Sequence, residues 1–342
     1  MLPYVLRRVL LFVPTLLGIT FLSFALLQLA PGDAAEFALR GGSTEAEVSQ
    51  EAVARFRHAY LLDQPIWKQY LHYLGPFDLS AEGHAWFGGS GREPFGGLLS
   101  GDLKSEIHRP HVRVADELLR RLKVTVPLAF AALLLGYLVA LPLGILAAVR
   151  AGTATDRASV LFVFVLYCLP TFWAGLLLQL LFGATGLGWL PVIGLAPAGA
   201  SPVEVLRHAL LPVVCLAYGS FAYLSRQMRA GLLETLSSDY VRSARAKGLP
   251  ERIVIAKHAL RNALLPVATL FASVFPALIG GAVIVETIFD LPGVGRYAFE
   301  GLQQRDYFVV MATTTLSGVM TCVGILISDL LTAALDPRIR HG

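Results

Sequence analysis

Long uncharged stretches alternate with short charged segments along the chain. Six such stretches occur, and five of them are 17 to 26 residues long. Because about 20 apolar residues in a helix, rising ~1.5 Å each, cross a hydrocarbon layer of ~30 Å, each of these five predicts one membrane-spanning helix. The six stretches are 9–30, 124–149, 158–203, 209–225, 262–285 and 307–328.

The stretch 158–203 has 46 residues, which is too long for one helix across a bilayer. Its second half is rich in Gly and Pro, so we predict a helix over 158–183 followed by a loop. The pattern therefore predicts an all-α, polytopic membrane protein with six spanning helices. The first apolar run, of 22 residues, exceeds the ~7–15 residues of a secretory signal, so we expect an uncleaved span.

The composition agrees with this class. Of the 342 residues, 55% are hydrophobic and 15% are charged, and the mean hydropathy is +0.63. An ordinary soluble domain has about 25% charged residues, so a water-soluble globule is excluded. The formal net charge is +4, but the excess of cations is concentrated in one loop. We therefore interpret it as an orientation signal and predict no nucleic-acid partner.

The distribution of Lys and Arg predicts the side of the membrane that each connection faces. Six spans place both termini on one side, where the termini and connections carry 14 Lys and Arg residues, against three in the short segments opposite. The positive-inside rule therefore places both termini in the cytoplasm. The long segment 31–123 holds 11 cations and 13 anions. Long loops cross largely regardless of charge, so this segment is expected outside.

Three parts of the chain follow from this topology. Residues 1–30 are expected to form a cytoplasmic N-terminus and the first span, and residues 31–123 an extracytoplasmic segment. Residues 124–342 are expected to form a core of five spans. Within that core, 226–261 is the one long cytoplasmic connection; we call it the basic loop.

No pattern for catalysis or nucleotide binding is present in the sequence. None of the five lysines follows a glycine, which excludes the Gly-Lys-Ser/Thr loop that cradles phosphates. The middle of the spans lacks the acids and histidines that couple protons or sodium ions in secondary transporters. We therefore predict no catalytic residue and no cofactor on this chain, and we expect its energy source on another chain.

Neither a metal site nor a disulfide is predicted. His108 and His111 have the spacing of a ligand pair, but Pro110 lies between them and no cysteine accompanies them. A solvated loop is the favoured interpretation. The three cysteines all fall in predicted spans and are not placed for pairing.

The basic loop carries the most informative pattern. Apolar residues between Arg229 and Lys247 recur every three to four positions, which predicts an amphipathic helix. Gly248 stands where a helix C-cap adopts the left-handed conformation, and Pro250 where the first turn of a new helix accepts proline. The loop is therefore predicted to form a helix, a sharp turn and a second helix. Its eight Lys and Arg residues suit an acidic groove on a partner or anionic lipid headgroups.

The same loop resembles a known family. The run Asp-Tyr-Val-Arg-Ser-Ala-Arg-Ala-Lys-Gly over 239–248, followed by His-Ala-Leu-Arg-Asn-Ala over 258–263, resembles the coupling loop of ABC-transporter permeases. In particular it resembles the inner-membrane permeases of the dipeptide, oligopeptide and nickel import family. Arg242 and Ser243 stand where the general permease signature has Glu and Ala. The Ala-Arg-Ala-Lys-Gly form is usual in the peptide branch, so the departure favours that branch.

Further segments resemble the same family along the length of the chain, in order and at the expected topological places. They are Arg7-Arg8, Pro31-Gly32-Asp33, Leu62-Asp63-Gln64-Pro65, Gly101-Asp102-Leu103, Glu286 to Arg296, Arg305-Asp306-Tyr307 and Asp336-Pro337-Arg338. Residues 75–100 look like an insertion relative to the family.

The resemblance implies a permease subunit of an ATP-driven importer in the bacterial cell inner membrane. It implies a second homologous permease, two ABC ATPase subunits that bind ATP and magnesium, an extracytoplasmic substrate-binding protein, and surrounding membrane lipid. The chain itself is then a transport subunit and no enzyme. The residues implied in coupling to the ATPase are Arg242, Ser243, Ala244, Arg245, Ala246, Lys247 and Gly248.

A second group of candidate residues follows the predicted fifth span. Pro292, Gly293 and Gly295 predict a tight outer turn, with Glu286 and Asp290 nearby. Such a turn suits a gate close to the substrate entrance and equally a structural cap over the span.

A third group lies at the C-terminal end of the chain. Asp329 precedes Asp336 by seven residues and shares its helix face. We expect Asp329 to pair with Arg338, Arg340 or another cation at the cytoplasmic end rather than to contact substrate.

Several functions remain open at this point. The leading hypothesis is an importer permease for di- and oligopeptides. Nickel or another small solute such as glutathione is an alternative within the same class. A self-sufficient secondary transporter is disfavoured by the lack of mid-span acids, and a membrane-embedded enzyme by the lack of a convergent catalytic set.

Overall fold

The computed structural model describes residues 2–29, 35, 39, 49–59, 62–75, 97–183, 186–271 and 282–335. The regular elements of these residues are helices. One isolated antiparallel bridge, between Ser105 and Arg113, is present in addition. The predicted all-α class is confirmed for this part of the chain.

The helices follow the predicted spans and extend beyond several of them. A 3-10 turn at Leu98–Ser100 and a π-helical turn at Val254–Ala259 complete the elements. The α-helices are α1 Leu2–Leu29, α2 Gln50–Ala59, α3 Ile66–Leu74, α4 Val114–Val149, α5 Ala154–Cys168, α6 Thr171–Phe182, α7 Pro202–Leu236, α8 Asp239–Ala246, α9 Glu251–Ile253, α10 Leu260–Ala263, α11 Leu265–Thr269, α12 Val283–Ile288, α13 Val294–Gln303 and α14 Tyr307–Leu335.

Four of these helices, α1, α4, α7 and α14, are long and apolar enough to cross a membrane. The pair α5 and α6 passes the same test only as one bent span, which gives up to five among the described residues. The predicted span over 262–285 includes the end of α10, all of α11 and the start of α12. Its middle, 272–281, lies outside the described residues.

The prediction of one continuous helix over 158–183 is wrong. The chain forms α5 and α6, which meet at an angle of 99°. Leu169 between them is extended, with φ −79° and ψ 121°. Pro170 explains this break, because a proline ring disfavours the helical conformation of the residue before it. The Gly- and Pro-rich stretch after α6 forms no helix over its described residues 186–201, as predicted.

The chain folds into two compact units. The first consists of Met1–Val9, Val124–Arg296 and Met320–Gly342, and the second of Leu10–Lys123 and Tyr297–Val319. In the second unit, Phe24, Tyr73 and Met311 form a small buried cluster. The Tyr70 hydroxyl lies 2.9 Å from the Thr20 hydroxyl, which ties α3 to α1.

Close contact between α4 and α7 organises the first unit. A Cβ added at Gly136 would lie 2.7 Å from the Ser220 hydroxyl, and one added at Gly144 would lie 2.6 Å from the Ser225 carbonyl oxygen. Together with the buried Ala140, these residues recur every four positions on one face of α4. Small residues at this spacing let two helix backbones approach closely, as is common between helices in membranes.

Candidate functional site

The basic loop begins differently from its prediction. Helix α7 continues to Leu236, and Ser237 and Ser238 separate it from α8, so the predicted single helix over 229–247 is wrong. Ser238 has an extended ψ of 152°, which ends the helical path before α8 begins. The Ser237 and Ser238 hydroxyls donate to the carbonyl oxygens of Glu234 and Thr235 at 2.7 and 2.6 Å. Such local side-chain bonds to the backbone compete with helix continuation, and here they outweigh the continuous apolar spacing.

One face of α8 is buried against the rest of the first unit. Val241 and Ala244 pack in a cluster with Leu232 of α7 and with Val254 and Ala259 of the following segment. Fully burying a valine side chain stabilises by roughly 1.5–3 kcal/mol. The short helix is therefore held by packing, since eight residues alone would not form a stable helix in water.

The opposite face of α8 is exposed. Arg242, Ser243, Ala246 and Lys247 all lie on this face. Arg242 pairs with Asp239 at 3.6 Å, and both side chains remain largely exposed. Of the predicted coupling residues, only Ala244 faces inward.

The sharp turn at Gly248 is confirmed. Its φ is +77°, and its N–H donates to the carbonyl of Arg245 at 2.9 Å. A Cβ added at this position would meet no atom within 4 Å. Glycine is therefore required here for its backbone conformation and not for space. Pro250 follows as the residue before the first turn of α9.

Arg245 spans the turn to the next helix. Its Nη2 donates to Glu251 Oε1 at 2.6 Å and its Nε to Glu251 Oε2 at 3.2 Å. This guanidinium holds the pKa of the Glu251 carboxyl below its usual range. Arg245 therefore links the two sides of the turn by a contact within the loop. Lys247 forms no ion pair with any described residue.

We expect the Arg245–Glu251 pair to contribute little to stability, because both side chains are about half exposed. A double-mutant cycle of Arg245→Gln and Glu251→Gln, followed by thermal unfolding in detergent, should give a coupling of at most about 1 kcal/mol. The coupling should fall as salt is added. A salt-independent coupling of several kcal/mol would contradict this account of the pair.

Helix α10, which begins at the end of the basic loop, makes close backbone contact with α7. A Cβ added at Gly231 of α7 would lie 3.0 Å from the Ala263 carbonyl oxygen of α10. Asn262 Nδ2 donates to the Tyr240 hydroxyl at 2.8 Å, which connects α10 to α8. Helices α7, α8 and α10 therefore form one packed body.

An ion pair between a buried carboxylate and a partly exposed arginine, which sequence reasoning missed, lies beside this body. Arg229 of α7 donates to both oxygens of Asp156 in α5, at 2.9 and 2.8 Å. Asp156 also accepts from the Gly152 N–H at 2.9 Å and is 4% exposed. Thr153, three residues before Asp156, is the N-cap of α5, and this capping pattern was the one available sequence signal.

The predicted outer turn is built around a buried carboxylate. Glu286 is 2% exposed; its Oε1 accepts from the Thr125 hydroxyl at 2.8 Å and its Oε2 from the Arg296 N–H at 2.7 Å. The Thr125 oxygen in turn accepts from the Val294 N–H at 2.9 Å. A Cβ added at Gly293 would overlap the Glu286 carboxylate. Glu286 therefore anchors the turn.

The remaining outer candidates lie on the same turn. Asp290, with φ +50°, is exposed and accepts from Arg296 Nη1. Pro292 is exposed, and Gly295 packs against the backbone of Val283, where a Cβ would approach the Val283 nitrogen to 2.8 Å. These contacts hold the turn onto α12.

Asp329 pairs with a cation from the opposite end of the sequence. Arg8 Nε lies 3.1 Å from Asp329 Oδ2, and Arg8 Nη2 lies 3.4 Å from Oδ1. Asp336, Arg338 and Arg340 lie outside the described residues, so the predicted pairing with the tail stays a prediction.

In the second unit, Asp306 is an anchor of similar design. Its Oδ2 accepts from the Ile107 N–H at 2.6 Å and its Oδ1 from the Val309 N–H at 3.2 Å, at the start of α14. Nearby, Glu106 accepts from the Tyr297 hydroxyl at 2.8 Å and from Arg109. Burial raises the pKa of the Asp306 carboxyl above its usual range.

Replacing Asp306 by alanine should destabilise the protein by about 2 kcal/mol, because two N–H groups lose their acceptor. Thermal unfolding of the purified protein in detergent measures this loss. Asp306→Asn keeps one acceptor oxygen and should lose less. Equal unfolding temperatures for the alanine variant and the parent protein would show that the anchor is dispensable.

Among the described residues, no group of three or more His, Cys, Asp or Glu side chains could hold a metal ion. The polar contacts above join helix ends and turns. They fix helix ends and turns in place and leave one face of α8 exposed for docking. None of them combines a nucleophile with a base.

Comparison with known proteins identifies the family. Residues 140–341 match the model described as binding-protein-dependent transport system inner membrane component, and residues 1–86 match the N-terminal model of the same system. The chain is 36% identical to the oligopeptide transport system permease protein AppB of Bacillus subtilis, with 99% of each chain covered. It is 34% identical to the dipeptide transport system permease protein DppB of Escherichia coli K12, over 100% of this chain and 99% of that one.

A solved structure shares the fold. A chain of the methionine ABC transporter MetNI in an inward-facing conformation superposes with a TM-score of 0.51, at 19% identity, over 64% of this chain and 96% of that chain. The family match covers more than half of the sequence, and the relatives match along its full length. This chain therefore belongs to the family of binding-protein-dependent transport system inner membrane components, the permease subunits of ABC transporters.

Proposed function

We propose that this chain is a permease subunit that moves di- and oligopeptides inward across the bacterial inner membrane, driven by ATP hydrolysis on separate subunits. The observation that carries the proposal is the basic loop, which presents an exposed cationic face on one side and packs onto α7 on the other. Relatives at 31–36% identity over nearly the full length are named as dipeptide or oligopeptide permeases.

The proposed topology has six spans and cytoplasmic termini. Residues 1–30 supply the first span, 31–123 the outer segment and 124–342 the five-span core. The Lys and Arg count of 14 against three supports this orientation. The basic loop and the Arg8–Asp329 pair then lie at the cytoplasmic side, and the Glu286 turn lies at the outer side.

Energy reaches the chain through the basic loop. In the proposed complex, two ATPase subunits dock beneath this permease and a second, homologous one. Arg242, Ser243, Ala246 and Lys247 contact the ATPase, while Ala244 fixes α8 to the body. Gly248 and Arg245 set the angle between α8 and α9. ATP-driven movement of the ATPases shifts this packed body and reorients the spans between outward and inward access.

The outer turn has a supporting role in this proposal. A substrate-binding protein delivers peptide to the outer side, near the turn that contains Asp290, Pro292, Gly293 and Gly295. The buried Glu286 gives that turn a fixed shape, which favours a cap over a mobile gate.

The experiment is purification of the tagged chain from native membranes in a mild detergent. We expect a second permease and two ATPase subunits to co-purify. Binding of peptide and metal libraries to the cognate substrate-binding protein should then select di- or oligopeptides over nickel. Transport activity from the chain alone would overturn the proposal.

A further inference from the structure

A crevice lies between α4, α5 and α7 of the first unit. It begins as a cavity of about 180 Å³. A second, more open cavity of about 490 Å³ shares Val160, Phe164 and Arg229 with it, so the two adjoin each other. The apolar part of the lining includes Leu143, Val160, Val163, Phe164 and Tyr167.

One end of the crevice is cationic. Arg226 and Arg229 line the first cavity, and Arg157 and Arg229 line the second. Asp156 neutralises Arg229 through the two hydrogen bonds described above. Arg226 is exposed and forms no hydrogen bond or ion pair with any described residue. The mouth therefore carries an excess of positive charge and a guanidinium with donors to spare.

The length of the crevice fits one leaflet of a bilayer. Arg157 and Tyr167 are ten residues apart on α5, a rise of about 15 Å. This is half of the ~30 Å hydrocarbon core. The α5 side chains that border the crevice, among them Leu161 and Phe164, are exposed and apolar. The crevice thus runs from a cationic mouth to an apolar end over one leaflet's depth.

From this arrangement we infer that the crevice binds an anionic phospholipid of the cytoplasmic leaflet. Its phosphate lies against Arg226 and Arg157, and one acyl chain lies along Val163, Phe164 and Tyr167. Charge complementarity selects the anionic headgroup, because basic pockets between spanning helices on the cytoplasmic side bind such groups. The inference goes beyond the proposed function and relies only on the cytoplasmic placement of residues 150–157.

The site is next to the element proposed to move. The lipid phosphate would lie beside Arg229, which links α5 to α7, and α7 continues into the basic loop. A lipid bound there holds α5 and α7 together at the cytoplasmic end. Anionic lipid is therefore a structural ligand of the permease.

The test is competitive lipid retention by the full-length chain co-purified with its partner subunits. The complex is exchanged into nanodiscs of equal phosphatidylglycerol and phosphatidylcholine, extracted into detergent, and analysed by native mass spectrometry. We expect phosphatidylglycerol to be enriched. Arg226→Gln should lower that enrichment by about fivefold. The matched variant Arg55→Gln, which removes an exposed cation of the outer segment outside the crevice lining, should leave it unchanged.

A second variant tests the cavity without changing charge. Ser159→Phe places an aromatic ring in the crevice lining and should also lower phosphatidylglycerol retention. Excess inorganic phosphate should not displace the lipid, because it lacks the acyl chain. Equal retention of both lipids, or retention unaffected by both variants, would overturn the inference. So would an efficient cross-link from Val160→Cys to the second permease or to an ATPase subunit, since a protein would then occupy the crevice.

Discussion

Replacing Gly248 by valine is expected to lower substrate-stimulated ATP hydrolysis of the assembled transporter by about tenfold, while membrane insertion stays intact. Gly248 has a φ of +77°. An L-residue pays roughly 1–2 kcal/mol in this conformation, and a β-branched one more. The chain can relieve that strain by changing the angle between α8 and α9. The docking face would then no longer be aligned with the ATPase.

Gly199→Val is the matched control for this experiment. Gly199 also has a positive φ, +83°, and a Cβ there would likewise meet no atom within 4 Å. It lies in the loop before α7, away from the basic loop. Both variants carry the same kind of strain, so only Gly248→Val should uncouple ATP hydrolysis from substrate. Equal losses in the two variants would mean that general destabilisation, and not the turn, accounts for the effect.

Replacing Glu286 by leucine is expected to lower the apparent unfolding temperature in detergent by about 10 °C. The leucine has a similar size but accepts no hydrogen bond. The Thr125 hydroxyl and the Arg296 N–H would then be buried without their acceptor, at about 1–3 kcal/mol each. The turn over 290–296 should loosen as a result. Thermal unfolding followed by intrinsic fluorescence measures the change.

Two further variants define what Glu286 contributes. Glu286→Gln retains one carbonyl oxygen as an acceptor and should lie between leucine and the parent protein. Glu204→Leu removes an exposed carboxylate at the start of α7 and should change the unfolding temperature little. An unfolding temperature for Glu286→Leu within the range of Glu204→Leu would contradict the role of an anchor.

The features that sequence reasoning predicted well are those fixed by local chemistry. Gly248 was placed in a left-handed turn from its position alone, and φ confirms it. The long apolar runs became α1, α4, α7 and α14 because length and hydropathy decide such helices. The break at Pro170 is equally local. Counting apolar residues hid it, whereas the restriction on the residue before proline would have revealed it.

The features that were missed depend on tertiary pairing. Asp156 and Arg229 are 73 positions apart, and Thr125 and Glu286 are 161 apart. No periodicity in a single sequence relates such distant residues. The same limit applies to the contact between Arg245 and Glu251, which the family motif did not predict, while the role of Arg245 in coupling stays a prediction. A family motif identifies which residue matters, but the fold determines what the side chain of that residue contacts.

The most direct test of the central claim is peptide uptake by the complete complex in proteoliposomes. The permease pair, the ATPases and the substrate-binding protein are reconstituted with a labelled dipeptide on the outer side and ATP on the ATPase side. We predict uptake that requires ATP and the binding protein and that is lost in the Gly248→Val variant. Uptake that continues without ATP, or without the ATPase subunits, would contradict the claim that this permease is driven from outside its own chain.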